Sequence, residues 1–348
     1  MAPKIFIQST GVTGYIAGDA THALYEAHPD YEYTALVRTQ EKADVVKKAF
    51  PPIRIVLGNL DDSDLLKEEA AKADIVLHAA DASDHEGAAK AIAAGLASGH
   101  SKEKPGYWLH TGGTGILTFT DANSGKLGEW TDKEYNDWSG VDEVTHLPDD
   151  AFHRNVDKIV LEAGTKHGEA VRTAIVCPPT IYGKGRGPVS SRGRQVYELT
   201  KLILTAQYIP IIGAGKARWM NVHVYDLSAA FVKLVEAAAA GKADSELWGA
   251  KGYYFIEAGE HVWGELSESI GRKAEELGFV KKGLEKQQLE KDKAMEQAGF
   301  EAVSWGLNSR SKGERAKKVL GWEPSAPSLE GEIPEILKQE HERLSKGS

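Results

Sequence analysis

The sequence has a single cysteine, Cys177, among its 348 residues. One cysteine cannot form a disulfide within the chain, which excludes a small fold held together by internal disulfides. No apolar run approaches the ~20 residues that a helix needs to cross a bilayer, so we predict no membrane span. No charged and then apolar leader precedes Lys4, and we therefore expect a cytoplasmic protein.

Positive charge is also scarce in this chain. It has 42 Lys and Arg residues against 51 Asp and Glu residues, a formal net charge of -9. Nucleic-acid binding needs clustered basic side chains, so we predict no nucleic-acid partner. Paired cysteines and an H-E-x-x-H motif are both missing, and the 12 histidines are dispersed, so we predict no metal site. A G-x-S-x-G nucleophile elbow is missing as well.

Short β-rich runs alternate with helical patterns through the first half of the chain. The strand candidates are KIFIQS, YEYTALV, IRIVLG, DIVLHAA, GYWLHT and VRTAIV. After the first of them, one face of a helix is formed by Ile16, Ala20, Ala23, Leu24 and Ala27. Parallel strands require crossover helices, so this order predicts an α/β fold with a Rossmann-like, doubly wound parallel sheet.

The pattern changes after Pro178, where the Gly-, Pro- and Arg-rich segment PPTIYGKGRGPVSSRGR begins. We assign residues 1–178 to a dinucleotide-binding Rossmann domain, with late segments such as 217–240 packing back on it. Residues 179–348 are predicted to form mainly a smaller substrate-binding lobe, with isolated strands at ARWMNVHV and GYYFIEA. The charged run KKGLEKQQLEKDKAMEQAG is interpreted as a solvated helix face.

Three glycines stand in the segment STGVTGYIAGD, between the first strand and the first helix. Gly11, Gly14 and Gly18 leave backbone N–H groups free to approach a pyrophosphate, which the helix N-terminus attracts. A tight strand-to-helix turn without a ligand is the alternative. The position of the motif after the first strand of a β/α chain favours dinucleotide binding.

The glycine spacing is T-G-x-x-G-x-x-A-G, and further landmarks follow it in order along nearly the whole chain: ALVRT, GNLDD, VLHAAD, LHTGGTG, KIVLEA, PPTIYG, RWMNVHVYDL and LGWEP. Together these motifs resemble the extended short-chain dehydrogenases/reductases of the NAD(P)-dependent epimerase/dehydratase-like type. The resemblance implies a nicotinamide cofactor. It does not fix the activity, because that family includes reductases, epimerases, dehydratases, lyases and redox-silent regulators.

The end of the second strand bears on the choice of cofactor. An acidic residue there would pair with a ribose 2′-hydroxyl, whereas this strand ends in Val37-Arg38-Thr39. Arg38 has the bidentate geometry that suits a 2′-phosphate, so we predict NADP(H) in preference to NAD(H). An ordinary surface arginine is the alternative interpretation.

The resemblance also implies a set of cofactor contacts beyond Arg38. Asn59 stands where the family places an aspartate that contacts adenine, and it retains an acceptor oxygen. The predicted cofactor-binding residues are Gly11, Thr13, Gly14, Tyr15, Ile16, Arg38, Asn59, Leu60, Ala79, Ala80, Thr111, Lys158, Cys177 and Pro178.

The catalytic motif departs from the family pattern. The resemblance implies a Tyr-x-x-x-Lys pair, but the matching segment FHRNVDKIVLEA aligns Lys158 with the lysine and Arg154 with the tyrosine. The family's serine or threonine falls on Gly113, with a threonine hydroxyl on each side of it. The predicted catalytic residues are Lys158, Arg154, Thr111, Thr114 and His153.

Three functions remain open at this level. The first is an NADP(H)-dependent oxidoreductase acting on a small carbonyl or hydroxyl compound, in which His153, His110 or Tyr182 supplies the proton. The second is a redox-silent NmrA-like sensor that binds the dinucleotide without the tyrosine. The third is a non-redox lyase or retro-aldol enzyme, in which Arg154 and Lys158 stabilise an oxyanion. We expect the oxidoreductase.

The expected partner is a small-molecule carbonyl substrate, and the resemblance adds a homodimer as one possible assembly. Glycine-rich loops at the carboxyl side of a parallel sheet form ligand clefts, so we expect substrate contacts from residues 183–194 and 213–221. The candidates for contact with an anionic group in these loops are Arg186, Arg192, Arg194 and Arg218; solvated loop charges are the alternative.

Overall fold

The computed structural model describes residues 2–8, 11–79 and 81–347. Strands and helices alternate through its first part, as the hydrophobic pattern predicts. These elements are β1 (Lys4–Gln8), α1 (Tyr15–Ala27), β2 (Glu32–Val37), α2 (Gln40–Ala49), β3 (Arg54–Leu57), α3 (Ser63–Lys72), β4 (Ile75–His78), α4 (Glu86–Gly99), β5 (Gly106–Thr111), α5 (Phe119–Ser124), β6 (Tyr135–Asn136), α6 (Val141–Thr145), α7 (Arg154–Lys166) and β7 (Val171–Cys177).

The second part of the chain has shorter strands and longer helices. It comprises β8 (Thr180–Tyr182), α8 (Gln195–Ala206), β9 (Ile209–Ile212), β10 (Arg218–His223), α9 (Val224–Ala239), β11 (Tyr253–Phe255), β12 (Gly259–Val262), α10 (Trp263–Glu276), β13 (Lys286–Leu289), α11 (Lys291–Ser304), β14 (Ser311–Lys312), α12 (Arg315–Leu320) and α13 (Leu329–Ser345).

A seven-stranded sheet in the order β11-β7-β5-β4-β1-β2-β3 forms the centre of the molecule. Every pairing in it is parallel, which confirms the predicted doubly wound sheet. The strand order reverses between β1 and β4, and ligands of such sheets bind beyond the carboxyl ends of the strands at this switch point.

Helices cover both faces of the sheet, which explains why β4 and β5 are buried along their whole length. On one face, α1, α2 and α9 pack over β1 and β2; small buried residues such as Ala17 and Ala20 let α1 approach α9 closely. On the other face, α3, α4 and α7 enclose a second core around Trp108. A third core, centred on α8, α10, α11 and α13, lies within the second part of the chain.

Two segments differ from the sequence prediction. Tyr253–Phe255, expected as an isolated strand of the second lobe, pairs with β7 and forms the edge of the central sheet. The charged run at 281–299, expected as one helix face, divides into β13, which pairs with β9, and the start of α11. In the second case the only leucines of the run are Leu284 and Leu289, which are five positions apart. The segment therefore lacks the apolar/polar alternation that would indicate a strand. The division into two domains at residue 178 stays a prediction.

Among the helices that the structure describes, none is long and apolar enough to cross a membrane.

Candidate active site

A cleft of about 660 Å³ opens at the carboxyl ends of the central strands. Loops after β1, β2, β4, β5 and β7 form its inner wall, and residues of α8, β10 and α11 close the opposite side. Among the predicted site residues, the cleft is lined by Gly11, Thr13, Gly14, Tyr15, Ile16, Arg38, Ala79, Thr111, Thr114, His153 and Pro178. A volume of this size falls within the usual range for cofactor and ligand sites.

The glycine turn leads directly into the N-terminus of α1. Gly14 is the N-cap in an extended conformation, no side chain of the described residues caps the helix, and its first turn has no acidic residue. The backbone N–H of Gly14 donates to the Gly11 carbonyl at 2.7 Å, which tightens the turn. The remaining N–H groups and the helix dipole therefore face the cleft, where they favour an anion.

Gly18 has a different role from the other two glycines. A Cβ at this position would lie 3.1 Å from the Gly187 Cα and 3.2 Å from the Val12 carbonyl oxygen. Gly18 therefore permits close packing of α1 against the loop after β8, and it does not line the cleft within the described residues.

Two basic side chains meet the cleft beside the end of β2. Arg38 directly follows the strand, and Lys42 lies in the first turn of α2. Within the described ranges neither has a carboxylate partner. Arg38 was predicted from the sequence and Lys42 was not. The spacing of four residues at the start of a helix would have indicated that Lys42 lies near Arg38.

Two predicted cofactor contacts in the loop after β3 are placed elsewhere. Asn59 is exposed, and its Oδ1 accepts from the Asp61 N–H at 2.7 Å, so it stabilises its own loop. Leu60 packs on the core behind the sheet. Neither residue is among the described residues that line the cleft. The predicted contact at Ala80 lies outside the described residues.

Cys177 is also placed away from the cleft, although the next residue, Pro178, lines it. The thiol is fully buried in the core, 3.5 Å from the Tyr253 hydroxyl, and burial raises its pKa well above the usual value. The thiol is thus neutral and inaccessible, and Cys177 is not among the described residues that line the cleft.

Gly113 and Gly115 lie against two side chains at the start of α7. A Cβ on Gly113 would lie 3.4 Å from Nε2 of His153, and a Cβ on Gly115 would lie 3.1 Å from Cδ1 of Phe152. The imidazole therefore approaches the position at which the family has its serine or threonine. The absence of a side chain at Gly115 therefore makes room for the Phe152 ring, while Gly113 lies at ordinary contact distance from the imidazole.

His153 is the N-cap of α7 and has a φ of 68°, in the left-handed region that non-glycine residues rarely occupy. Its Nδ1 lies 2.6 Å from Oδ1 of Asp84, in the loop after β4. Burial raises the pKa of Asp84, but the hydrogen bond and the charge of His153 outweigh this effect, so the pKa lies below its usual value. Asp84 thus fixes the ring with Nε2 directed towards Gly113 and the cleft.

The two threonines beside Gly113 also face the cleft. The Thr111 hydroxyl is buried, and it has no hydrogen-bond partner in the part of the chain that the structure describes. The Thr114 hydroxyl accepts from the indole N–H of Trp219 at 3.2 Å. Thr111 therefore offers a hydroxyl to a bound molecule, whereas Thr114 positions Trp219 in the cleft wall.

Lys158 and Arg154, which the resemblance places at the catalytic site, are not among the described residues that line the cleft. Nζ of Lys158 lies 2.8 Å from Asp149 on the half-exposed outer side of α7. Arg154 is buried at the start of the helix, outside the set of described residues that line the cleft. Because α7 is capped by His153, the side chains that share its inner face are His153 and Asp157.

Asp157 belongs to a buried polar cluster behind the cleft. Its Oδ2 accepts from the Tyr253 hydroxyl at 2.8 Å, and its Oδ1 lies 3.7 Å from Nε2 of His110. Burial raises the pKa of Asp157 to about 6 and lowers the pKa of His110 to about 3. The contact with His110 therefore joins a neutral ring to a carboxyl group and is not an ion pair. Nδ1 of His110 lies 3.0 Å from Nδ1 of His78.

The other two proposed proton donors are unsuited to the role. His110 is fully buried within this cluster. The Tyr182 hydroxyl donates to the Pro327 carbonyl at 2.9 Å, and burial raises its pKa. Neither residue lines the cleft within the described ranges, so of the three candidates only His153 does.

The comparisons with known proteins agree with this architecture. A model for NAD(P)H-binding domains matches residues 11–102, and a model for the NAD-dependent epimerase/dehydratase family matches residues 150–247. Among solved structures, the dTDP-glucose 4,6-dehydratase DesIV of Streptomyces venezuelae has a TM-score of 0.67 at 15% identity and covers 99% of this chain and 98% of its own. A UDP-glucose 4-epimerase of Thermotoga maritima has a TM-score of 0.61 at 15% identity, with 99% of each chain covered.

A sequence relative extends over the whole chain. Oxidase ucsJ of Acremonium sp. is 41% identical over 355 residues, which covers 99% of each protein. An uncharacterized protein of Saccharomyces cerevisiae is 26% identical over 246 residues, 69% of this chain and 72% of its own. With its parallel sheet, glycine turn and cleft, the chain belongs to the NAD(P)-binding, epimerase/dehydratase-like family of extended short-chain dehydrogenases/reductases.

Proposed function

We propose that the protein is an NADP(H)-dependent oxidoreductase that interconverts a small carbonyl compound and its alcohol, with His153 as the group that exchanges a proton with the substrate oxygen. The observation that carries this proposal is the 2.6 Å contact between Asp84 and His153, which leaves Nε2 directed into the cleft. The name of the relative Oxidase ucsJ is in line with redox chemistry.

The cleft residues fit a dinucleotide phosphate. Among the described residues, no side chain caps the N-terminus of α1 after Gly14, which suits a pyrophosphate, and none pairs with the buried hydroxyl of Thr111, which suits a polar group of the ligand. Arg38 and Lys42 provide two cations beside the end of β2, which supports NADP(H) over NAD(H). When bound, the cofactor supplies or accepts the hydride.

Reduction of a carbonyl group also needs a proton for the substrate oxygen. His153 donates its Nδ1–H to Asp84, so Nε2 is the atom that holds the transferable proton. Asp84 is a positioning residue, because it acts through His153. The left-handed backbone of His153 is held by the surrounding loop, as is typical of functional positions.

The two alternatives have less support from the geometry. The lyase would need Arg154 and Lys158 together at the cleft, whereas both are directed elsewhere. A redox-silent sensor would need no oriented proton donor beside the cofactor site. The Asp84–His153 pair therefore favours an enzyme.

Deuterium transfer tests this proposal. Purified protein is incubated with NADPH that carries deuterium on either face of C4, together with a panel of aldehydes and ketones, and the products are analysed by mass spectrometry. We expect deuterium in at least one alcohol, from one face of the cofactor only. Measurable NADPH binding without label in any product would refute the oxidoreductase and favour the sensor.

A further inference from the structure

The outer end of the cleft is lined by aromatic rings and paired charges, unlike the end at Arg38. We define the outer end as the lining residues Phe152, Arg192, Arg194, Phe300 and Glu301. These residues come from the start of α7, from the loop before α8 and from α11. They face the part of the cleft that lies beside His153, where a substrate would sit.

Both arginines of the outer end are already paired with carboxylates. Arg192 contacts Glu340 at 2.7 and 3.0 Å and Glu198 at 2.7 Å. Nη2 of Arg194 lies 2.7 Å from Oε1 of Glu301. Each guanidinium of the outer end is thus already engaged by a carboxylate, and an anionic substrate would have to displace that contact before it could pair with the arginine.

The other two arginines expected to meet an anion are paired as well. Arg186 contacts Asp19 with Nε at 3.0 Å and Nη2 at 2.7 Å, and Nε of Arg218 lies 2.5 Å from Oε1 of Glu260. These pairs link elements of the fold. They leave none of the four predicted arginines unpaired for the diphosphate of a sugar nucleotide.

Aromatic rings dominate the apolar surface of the outer end. Phe152 and Phe300 are 44% and 52% exposed, and their ring centroids are 5.6 Å apart. The Phe152 ring also lies 3.7 Å from the ring of His153, centroid to centroid. A single exposed phenylalanine is ordinary, but two that meet beside an oriented imidazole form an apolar platform at the reacting end of the cleft.

The backbone of α11 is broken just before Phe300. Ala298 and Gly299 have non-helical angles, with a φ of 61° and a ψ of -150° at Gly299. Only glycine adopts this conformation without strain, and it redirects the chain so that Phe300 reaches the cleft. The break therefore supports a specific placement of this ring.

We propose that the outer end binds an uncharged substrate with a flat apolar ring system, held against Phe152 and Phe300, in preference to an anionic sugar nucleotide. The inference rests on the proposed function, since it takes the cleft as the site of carbonyl chemistry. It concerns binding alone, so it can be tested without hydride transfer.

Equilibrium binding of two probes to the full chain tests it. The probes are 2-acetonaphthone and UDP-glucose, each titrated into protein with saturating NADP⁺, a combination in which no ketone reduction occurs. The variant is Phe300→Ser. The matched control is Met295→Ser, since Met295 is on the same helix and is 46% exposed but is not among the described residues that line the cleft.

We expect 2-acetonaphthone to bind at least tenfold more tightly than UDP-glucose, and Phe300→Ser to raise its Kd about tenfold. Met295→Ser should change the Kd by less than about twofold. Tighter binding of UDP-glucose, or a Kd for 2-acetonaphthone that Phe300→Ser leaves unchanged, would overturn the inference. Ketone binding through Phe300 without any deuterium transfer would refute the proposed function and leave the inference intact.

Discussion

Replacement of Asp84 by asparagine tests whether its carboxylate positions His153. The bond joins Oδ1 of Asp84 to Nδ1 of His153 at 2.6 Å, in the range of charge-assisted hydrogen bonds. Such bonds contribute roughly 1.5–3 kcal/mol, but the Asp84 side chain is 44% exposed, which reduces the effect to about 1 kcal/mol. We therefore expect kcat for carbonyl reduction to fall about fivefold in Asp84→Asn.

The assay is steady-state reduction at saturating NADPH, together with a direct titration of NADPH binding. The Kd for NADPH should not change, because Asp84 acts on the proton donor. Asp61→Asn is the matched control: Asp61 also pairs with a histidine, His85, at 3.2 Å, but in the described chain it does not line the cleft.

A double-mutant cycle separates positioning from a general structural effect. In a His153→Gln background, Asp84→Asn should have no further effect on kcat, since its partner is gone. Additive losses in the double variant, or an equal loss in Asp61→Asn, would refute the argument that Asp84 acts through His153.

Two further predictions concern the cofactor and the buried cluster. Arg38→Glu should raise the Kd for NADPH at least tenfold by fluorescence titration and that for NADH less than about threefold; equal losses would argue against a 2′-phosphate contact. Asp157 has its pKa raised by burial from 3.8 to about 6, so the native state retains a proton that the unfolded chain has lost. The contribution of Asp157 to stability should therefore fall by roughly 2–3 kcal/mol as pH rises through this window, while buried His110, whose pKa is lowered to about 3, contributes in the opposite direction. In urea unfolding, the pH dependence of the stability of Asp157→Asn should differ from that of the unmodified protein by this amount, whereas exposed Asp142→Asn should match the unmodified protein; the same pH dependence in both variants would contradict the assignment.

The sequence was sufficient to predict the sheet and the glycine turn that lines the cleft. Each buried strand of the first part contains a run of at least three apolar residues, and the glycine turn has a local spacing, so both signals lie within a few residues. The helix starting at Tyr15 was also predicted. Its buried face is centred on Ala17, Ala20 and Leu24, with Ala27 exposed, because α9 packs on that side.

The catalytic end could not be predicted in the same way, because it depends on contacts between distant segments. Asp84 and His153 are separated by 69 positions in the chain, and Phe300 belongs to a helix of the second part. The inward face of α7 is set by the left-handed turn at His153, which no residue pattern announces. The family's Tyr-x-x-x-Lys spacing therefore led to the prediction of Arg154 and Lys158. The side chains directed inward are the preceding residues, His153 and Asp157.

The measurement that tests the account most directly is the rate of carbonyl reduction by His153→Gln. General acid catalysis by a positioned side chain contributes about 10²–10⁴-fold, so kcat should fall by at least about 100-fold while the Kd for NADPH stays within about twofold. His167→Gln, at the exposed far end of the same helix, should retain full activity. A kcat for His153→Gln within about threefold of the unmodified protein would contradict the assignment of His153 as the proton donor.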